Sequence, residues 1–239
     1  MQIVILTGAG ISAESGVSTF RDPDGVWSKF DYREVATPEG FAADPQKVHG
    51  FYNARRAGLG SVDPNPAHIA LAKLEAALTE HGHGFTLITQ NVDDLHARAG
   101  SKTILQMHGA LARIRCDHCA AVRPWAEDLS TDVVCDGCGL PGGLRPDVVW
   151  FGEIPRHMEE IDAAMAEATH FVSIGTSGTV YPAAGLVAIA RDLGVRTVEI
   201  NLEPSANADL FDETHYGPAA KAVPNWCDSI IAQIQQEAT

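Results

Sequence analysis

The sequence predicts an α/β protein: a doubly wound parallel sheet with a smaller unit inserted into it. Three observations lead there. Short apolar runs, Ile3-Val4-Ile5-Leu6, Phe85-Thr86-Leu87-Ile88 and Phe171-Val172-Ser173-Ile174, alternate with stretches of helical periodicity. Each run ends in small or polar residues: Thr7-Gly8-Ala9-Gly10, Thr89-Gln90-Asn91-Val92-Asp93, and Gly175-Thr176-Ser177-Gly178. Open sheets of this kind bind ligands outside the carboxyl ends of their strands. Third, Cys116 to Cys138 has little apolar content but carries two Cys-x-x-Cys pairs, as expected where a metal replaces a core.

Composition narrows the class. At 239 residues and 45% apolar content the chain can bury a sizeable core. No apolar stretch approaches a membrane span. A first strand at Gln2 leaves no room for a leader segment, so cytoplasmic residence is expected. The net charge of −14 repels nucleic acid; no direct nucleic-acid or membrane partner is expected.

The elements follow in order. Ile3–Leu6 is a candidate central strand, followed at once by G-x-G-x-x-G/A on Gly8, Gly10 and Ala13. Glycines there let the backbone turn tightly and approach a pyrophosphate, with the next helix N-terminus facing the anion. A tight β-to-α turn explains the same residues, and the usual acidic residue after a second strand is not evident. Ser15 to Asp22 lacks periodicity and reads as an ordered loop, with Phe20 and Arg21 candidates to cover and neutralise a phosphate. Residues 31–60 read as helical, with Pro38 at a first helical position. Tyr52 and Arg55, three apart, share a face, where a phenol beside a guanidinium could grip a carboxylate; the residues alone favour a solvated face. Asn65-Pro66 caps a helix through Ala77; His81 and His83 follow, candidate metal ligands that read better as loop residues.

The strand Phe85–Ile88 opens onto Gln90, Asn91 and Asp93, then a helix through Ala97 that stops at Gly100. The run Thr103-Ile104-Leu105 ends at His108-Gly109. Cys116, Cys119, Cys135 and Cys138, with fifteen residues between the pairs, read as one zinc site. Four protein ligands leave no open position, so that zinc is structural. Val148–Phe151 reads as a strand, with Phe151-Gly152 a candidate edge for adding a peptide strand. A helix is expected over 155–168, a strand at Phe171–Ile174 ending in Gly175-Thr176-Ser177, and a helix over 182–193. The strand Thr197–Ile200 leads to Asn201-Leu202-Glu203, candidates for ribose or an adenine edge. A last helix, 224–236, faces Trp226, Ile230 and Ile234 inward, and Cys227 reads as a small buried hydrophobe.

Taken together, these pieces resemble the sirtuin family. The matching stretches are Gly8–Ser12, Thr19-Phe20-Arg21-Asp22, Thr89–His96, His108-Gly109, the four cysteines, Phe151-Gly152-Glu153, Gly175-Thr176-Ser177 and Asn201, and they span nearly the whole chain in order. The resemblance implies an NAD-dependent protein lysine deacylase of compact prokaryotic type. It implies a Rossmann-like domain of residues 1–30, 61–112 and 145–239. Residues 31–60 and 113–144 would form the small domain, a helical module and a zinc ribbon. NAD would be framed by Gly8, Ala9, Gly10, Glu14, Thr19, Phe20, Arg21, Trp27, Gln90, Asn91, Val92 and Asp93, then by Gly175, Thr176, Ser177, Asn201, Leu202, Glu203 and Ala219.

His108 would be the general base, with Asn91 and Asp93 orienting ribose and the nicotinamide amide. Val149, Phe151, Gly152, Glu153 and Tyr181 would line the acyl-lysine tunnel and its peptide-binding edges. Tyr52-x-x-Arg55 with the small Ala36 looks like the set that marks family members acting on succinyl- and malonyl-lysine, so against the resemblance the bland reading of that helix face loses. The implied products are nicotinamide, free lysine and 2′-O-acyl-ADP-ribose. Mono-ADP-ribosyl transfer at the same NAD site is the alternative; a non-catalytic NAD sensor and a hydride-transferring dehydrogenase are weaker rivals.

Overall fold

The computed structural model describes residues 1–18 and 30–237. Its strands are β1 (Gln2–Thr7), β2 (Gly84–Thr89), β3 (Ile104–Gln106), β4 (Gly109–Cys116), β5 (Val122–Pro124), β6 (Leu144–Val148), β7 (His170–Ile174), β8 (Arg196–Asn201) and β9 (Glu213–Tyr216). Its helices are α1 (Tyr32–Val35), α2 (Pro38–Ala43), α3 (Pro45–Leu59), α4 (Pro66–Glu80), α5 (Leu95–Ala99), α6 (Met158–Glu167), α7 (Leu186–Asp192) and α8 (Ala219–Glu237).

One sheet is parallel throughout, in the order β3-β2-β1-β7-β8-β9. The order runs one way from β1 through β2 to β3 and the other way from β7 to β9. The carboxyl ends of β1 and β7 therefore flank the switch point where such sheets take ligands. Leu71, Leu74 and Leu78 of α4 and Trp226, Ile230 and Ile234 of α8 cover one face, against Ile3, Ile5, Val172 and Ile200. Ile161 and Met165 of α6 and Leu186 and Val187 of α7 cover the other, against Val4, Leu6 and Phe171. Burying each side chain of this size contributes about 1.5–3 kcal/mol.

Capping chemistry sets the helix ends. Asn65 accepts the Ala67 N–H at 2.9 Å, His68 Nδ1 accepts the Asn65 N–H at 3.3 Å, and Pro66 takes the first helical position of α4. Gly100, at φ 107°, stops α5. The expected helical stretch 31–60 becomes three helices, and Pro38 and Pro45 both open one.

A second, antiparallel sheet orders β5-β4-β6. Val48, Phe51 and Tyr52 of α3 pack on Val35, Leu111, Val148 and Trp150 beside it. Ile114, Leu129 and Leu144 form a small cluster around Cys116 and Cys135.

Some elements depart from expectation for identifiable reasons. The strand expected at Val148–Phe151 lies at Leu144–Val148 instead, because two charged residues hide its buried pattern. Arg145 and Asp147 are 2% and 0% exposed, each inside an ion-pair network. The chain then turns, with the Glu153 N–H on the Trp150 carbonyl and Gly152 at φ 90°. The helix α8 starts five residues before Pro224. A proline that near the N-terminus removes one backbone bond, and Glu14 holds the new start by accepting the Ala220 N–H at 2.7 Å. The helix expected over 155–168 is shorter, and the one expected over 182–193 is a 3-10 turn, Ala183–Gly185, followed by α7. No helix among the described residues is long and apolar enough to cross a membrane.

Candidate active site

A cavity of about 1230 Å³ opens at the carboxyl ends of β1, β2, β7 and β8 and extends to α3 and the turn after β6. Every NAD, base and acyl candidate named from the sequence lines it, except Thr19, Phe20, Arg21 and Trp27, which lie outside the described residues.

Its nucleotide end is built from backbone. The Gly8 N–H donates to the Ile174 carbonyl at 2.9 Å and the Gly10 N–H to the Gly175 carbonyl at 2.8 Å. A Cβ on Gly8 or Gly10 would stand 2.8 Å from the Gly175 carbonyl oxygen, and one on Gly175 would strike the Ile11 nitrogen. The glycines therefore let the loops after β1 and β7 interlock. In place of the expected helix start, Ala9–Ile11 and Ala13–Ser15 form two single 3-10 turns. Asn201 donates to the Thr176 carbonyl at 2.8 Å and accepts the Leu202 N–H at 3.0 Å, so its amide frames the loop. Gln90 ties β2 to the same loop through the Thr176 hydroxyl at 3.2 Å.

A buried polar cluster follows. Ser12 donates to Asp93 Oδ2 at 3.0 Å and accepts from Asn91 Nδ2 at 3.1 Å. With its one hydrogen spent, Ser12 accepts from His68 Nε2 at 3.3 Å, which agrees with His68 Nδ1 accepting from Asn65. Asp93 Oδ1 takes the Leu95 N–H at 3.1 Å. Burial raises the Asp93 pKa, and the Leu95 N–H and Ser12 hydroxyl oppose that shift. Ser12, inside the glycine motif, organises both predicted orienting residues but was not singled out from the sequence.

His108 sits at the junction of the two ends. Its Nδ1 lies 3.0 Å from the Gln90 carbonyl, which can only accept, so Nδ1 carries the hydrogen and Nε2 keeps a lone pair. Burial holds the imidazole pKa below its usual value, and the Gln90 carbonyl opposes this. The ring is thus neutral at physiological pH, as a base requires.

The other end is made of side chains. Tyr52 is 1% exposed, and its oxygen accepts from Trp150 Nε1 at 2.9 Å. The Arg55 guanidinium carbon lies 5.8 Å from the Tyr52 ring centroid, and burial pulls the Arg55 pKa down. Ala36 is small and buried; Tyr181 is exposed, and Phe151 packs against Tyr32 with the rings tilted by 60° and their centroids 4.7 Å apart. The Glu153 carboxylate grips Arg145 at 2.7 and 2.8 Å, which fixes this part of the wall. The Phe151 N–H bonds the Ala36 carbonyl and the Glu153 N–H bonds the Trp150 carbonyl.

Apart from the cavity, the four sulfurs of Cys116, Cys119, Cys135 and Cys138 lie within 4.8 Å of one another, and none forms a disulfide. The Cys116–Cys138 and Cys119–Cys135 pairs are 3.9 and 3.7 Å apart. Zn–S bonds of about 2.3 Å in a tetrahedron place sulfurs about 3.8 Å apart, so the set fits one zinc ion.

A glycine-interlocked cleft at the switch point of a parallel sheet, meeting a half-buried neutral histidine, suits an enzyme that uses an extended nucleotide. The Sir2 family model matches residues 8–182. The chain is 58% identical over 234 residues to the NAD-dependent protein deacylase of Caulobacter vibrioides, covering 98% of each. It superposes on a Sir2 homolog–NAD complex with a TM-score of 0.84 at 36% identity, covering 100% of this chain and 91% of that one. On a Sir2 structure with a deacetylated peptide and 3′-O-acetyl ADP-ribose the TM-score is 0.78 at 30% identity, covering 97% and 93%. This protein belongs to the Sir2 family.

Proposed function

We propose that the protein is an NAD-dependent protein-lysine deacylase that removes succinyl, malonyl and acetyl groups and favours the acidic ones. The observation that carries the acidic preference is the pair Tyr52 and Arg55, a buried phenol and a half-buried guanidinium on the wall of the same cavity as His108. An acyl carboxylate buried without partners would cost several kcal/mol; a guanidinium and a hydroxyl offset that through charge-assisted hydrogen bonds. Burial raises the Tyr52 pKa, which keeps the phenol protonated and able to donate. Acetyl-lysine gains nothing from the pair but still fits.

NAD is the co-substrate and supplies an electrophilic ribose carbon when bound. Gly8, Gly10, Thr176 and Ser177 would hold its phosphates and the adenine-side ribose, with Ala219 at the adenine end. Asn91 and Asp93, fixed by Ser12, orient the second ribose and the amide. His108 Nε2 takes the proton from a ribose hydroxyl. With one water consumed, the products are nicotinamide, free lysine and 2′-O-acyl-ADP-ribose. The zinc stabilises the ribbon. Residues 31–60 and 113–144 act as the small domain against the rest, the substrates are acyl-lysine proteins or peptides, and the compartment is the cytoplasm.

The test is nicotinamide release from NAD with matched succinyl-, acetyl- and unmodified-lysine peptides, with products identified by mass. Acyl-dependent release with acyl-ADP-ribose formed supports the reading; label moved from NAD to protein with acyl groups retained would replace it with ADP-ribosyl transfer. The rate rises with pH through the His108 pKa, so its acid limb lies below about 6.5.

A further inference from the structure

We propose that Trp150 is a positioning residue for acyl selectivity, acting through the Tyr52 hydroxyl; this rests on the acidic-acyl reading above. A phenolic hydrogen prefers the plane of its ring and has two such positions. The Trp150 Nε1–H donates to the Tyr52 oxygen at 2.9 Å, which blocks the position facing the indole. The hydroxyl hydrogen is left in the other, ready to donate. Accepting one bond also strengthens the hydroxyl as a donor. The phenol is then preorganised for an anionic acceptor before substrate arrives.

Trp150 is itself held from three sides. The Arg145 guanidinium lies 3.2 Å from its ring centroid, Phe41 packs against it with centroids 5.3 Å apart, and its backbone N–H donates to Glu153 Oε2 at 2.7 Å. Arg145 is fixed in turn by both oxygens of Glu153 and by the Val148 carbonyl at 2.9 Å. A buried Arg–Glu pair over an indole is costly to build. Here it fixes the one hydrogen-bond donor that sets the Tyr52 hydroxyl.

The experiment is a double-mutant cycle with Trp150→Phe and Tyr52→Phe. It measures kcat/KM on matched succinyl- and acetyl-lysine peptides, with melting temperatures as a check on folding. Trp150→Phe is expected to lower the succinyl-to-acetyl ratio about five- to tenfold, the scale of one hydrogen bond. It should do so through the KM for succinyl peptide more than through kcat. In the Tyr52→Phe background it should lower the ratio no further. If Tyr52→Phe lowers the ratio and Trp150→Phe does not, or lowers it equally in both backgrounds, the inference is overturned and the acidic-acyl reading stands. If Tyr52→Phe leaves the ratio unchanged, that reading fails and the inference falls with it.

Discussion

The two ends of the cavity are built by opposite means. The nucleotide end uses backbone and a shared hydroxyl: glycine loops in van der Waals register and one serine oxygen contacted by Asn91, Asp93 and His68. The acyl end uses charge, with Arg55 over Tyr52 and the Arg145–Glu153 pair against Trp150. The first tolerates little change, because a backbone contact has no rotamer to yield. The second can be retuned one side chain at a time. On the proposed function, general chemistry would sit in the first half and selectivity in the half with adjustable parts.

Substitutions should separate the halves, the strongest at their junction. His108→Tyr is expected to lower deacylation about 10²–10⁴-fold while the zinc and the melting temperature are kept; full activity would remove His108 as the base. Cys135→Ser should release the zinc and destabilise the ribbon by several kcal/mol, read as lost metal stoichiometry and a lower melting temperature. Gly175→Ala meets the Ile11 nitrogen at φ 62° and should cost about 1–3 kcal/mol, weakening NAD for every acyl substrate alike. An effect confined to succinyl peptide would break the division.

The smallest single-substitution effect is on the pH dependence of stability. His49, His68 and His96 are buried neutral, with pKa held down to about 4, 4 and 3 by burial. Unfolded, each returns to about 6.5 and binds a proton that the folded chain excludes. Stability is therefore lost as pH falls below 6.5, by up to about 4 kcal/mol per pH unit for the three together. His49→Gln should make the slope of melting temperature between pH 6.5 and 4.5 shallower; an unchanged slope would remove His49 from the account.

Legibility in the sequence followed the same division. The strands β1, β2, β7 and β8 were plain because strands covered on both faces read as apolar runs. The loops after them carried the nucleotide residues in order. Gly100 and Asn65-Pro66 marked helix ends by chemistry that needs no tertiary context. The strand β6 was misplaced because its interior holds Arg145 and Asp147, whose partners come from elsewhere in the fold. The strand β9, Glu213–Tyr216, is a polar edge strand with no apolar run to betray it. Ser12 and Trp150 escaped notice because a serine in a glycine loop and a tryptophan in an apolar run look ordinary until their hydrogen bonds are seen.

The measurement that bears most directly on the division is the succinyl-to-acetyl ratio of kcat/KM for wild type and Arg55→Met, read by nicotinamide release. Wild type should favour succinyl peptide, and Arg55→Met should lower that ratio about 10- to 100-fold, the scale of one charge-assisted contact. A wild-type preference for acetyl peptide, or a ratio that Arg55→Met leaves unchanged, would contradict the account.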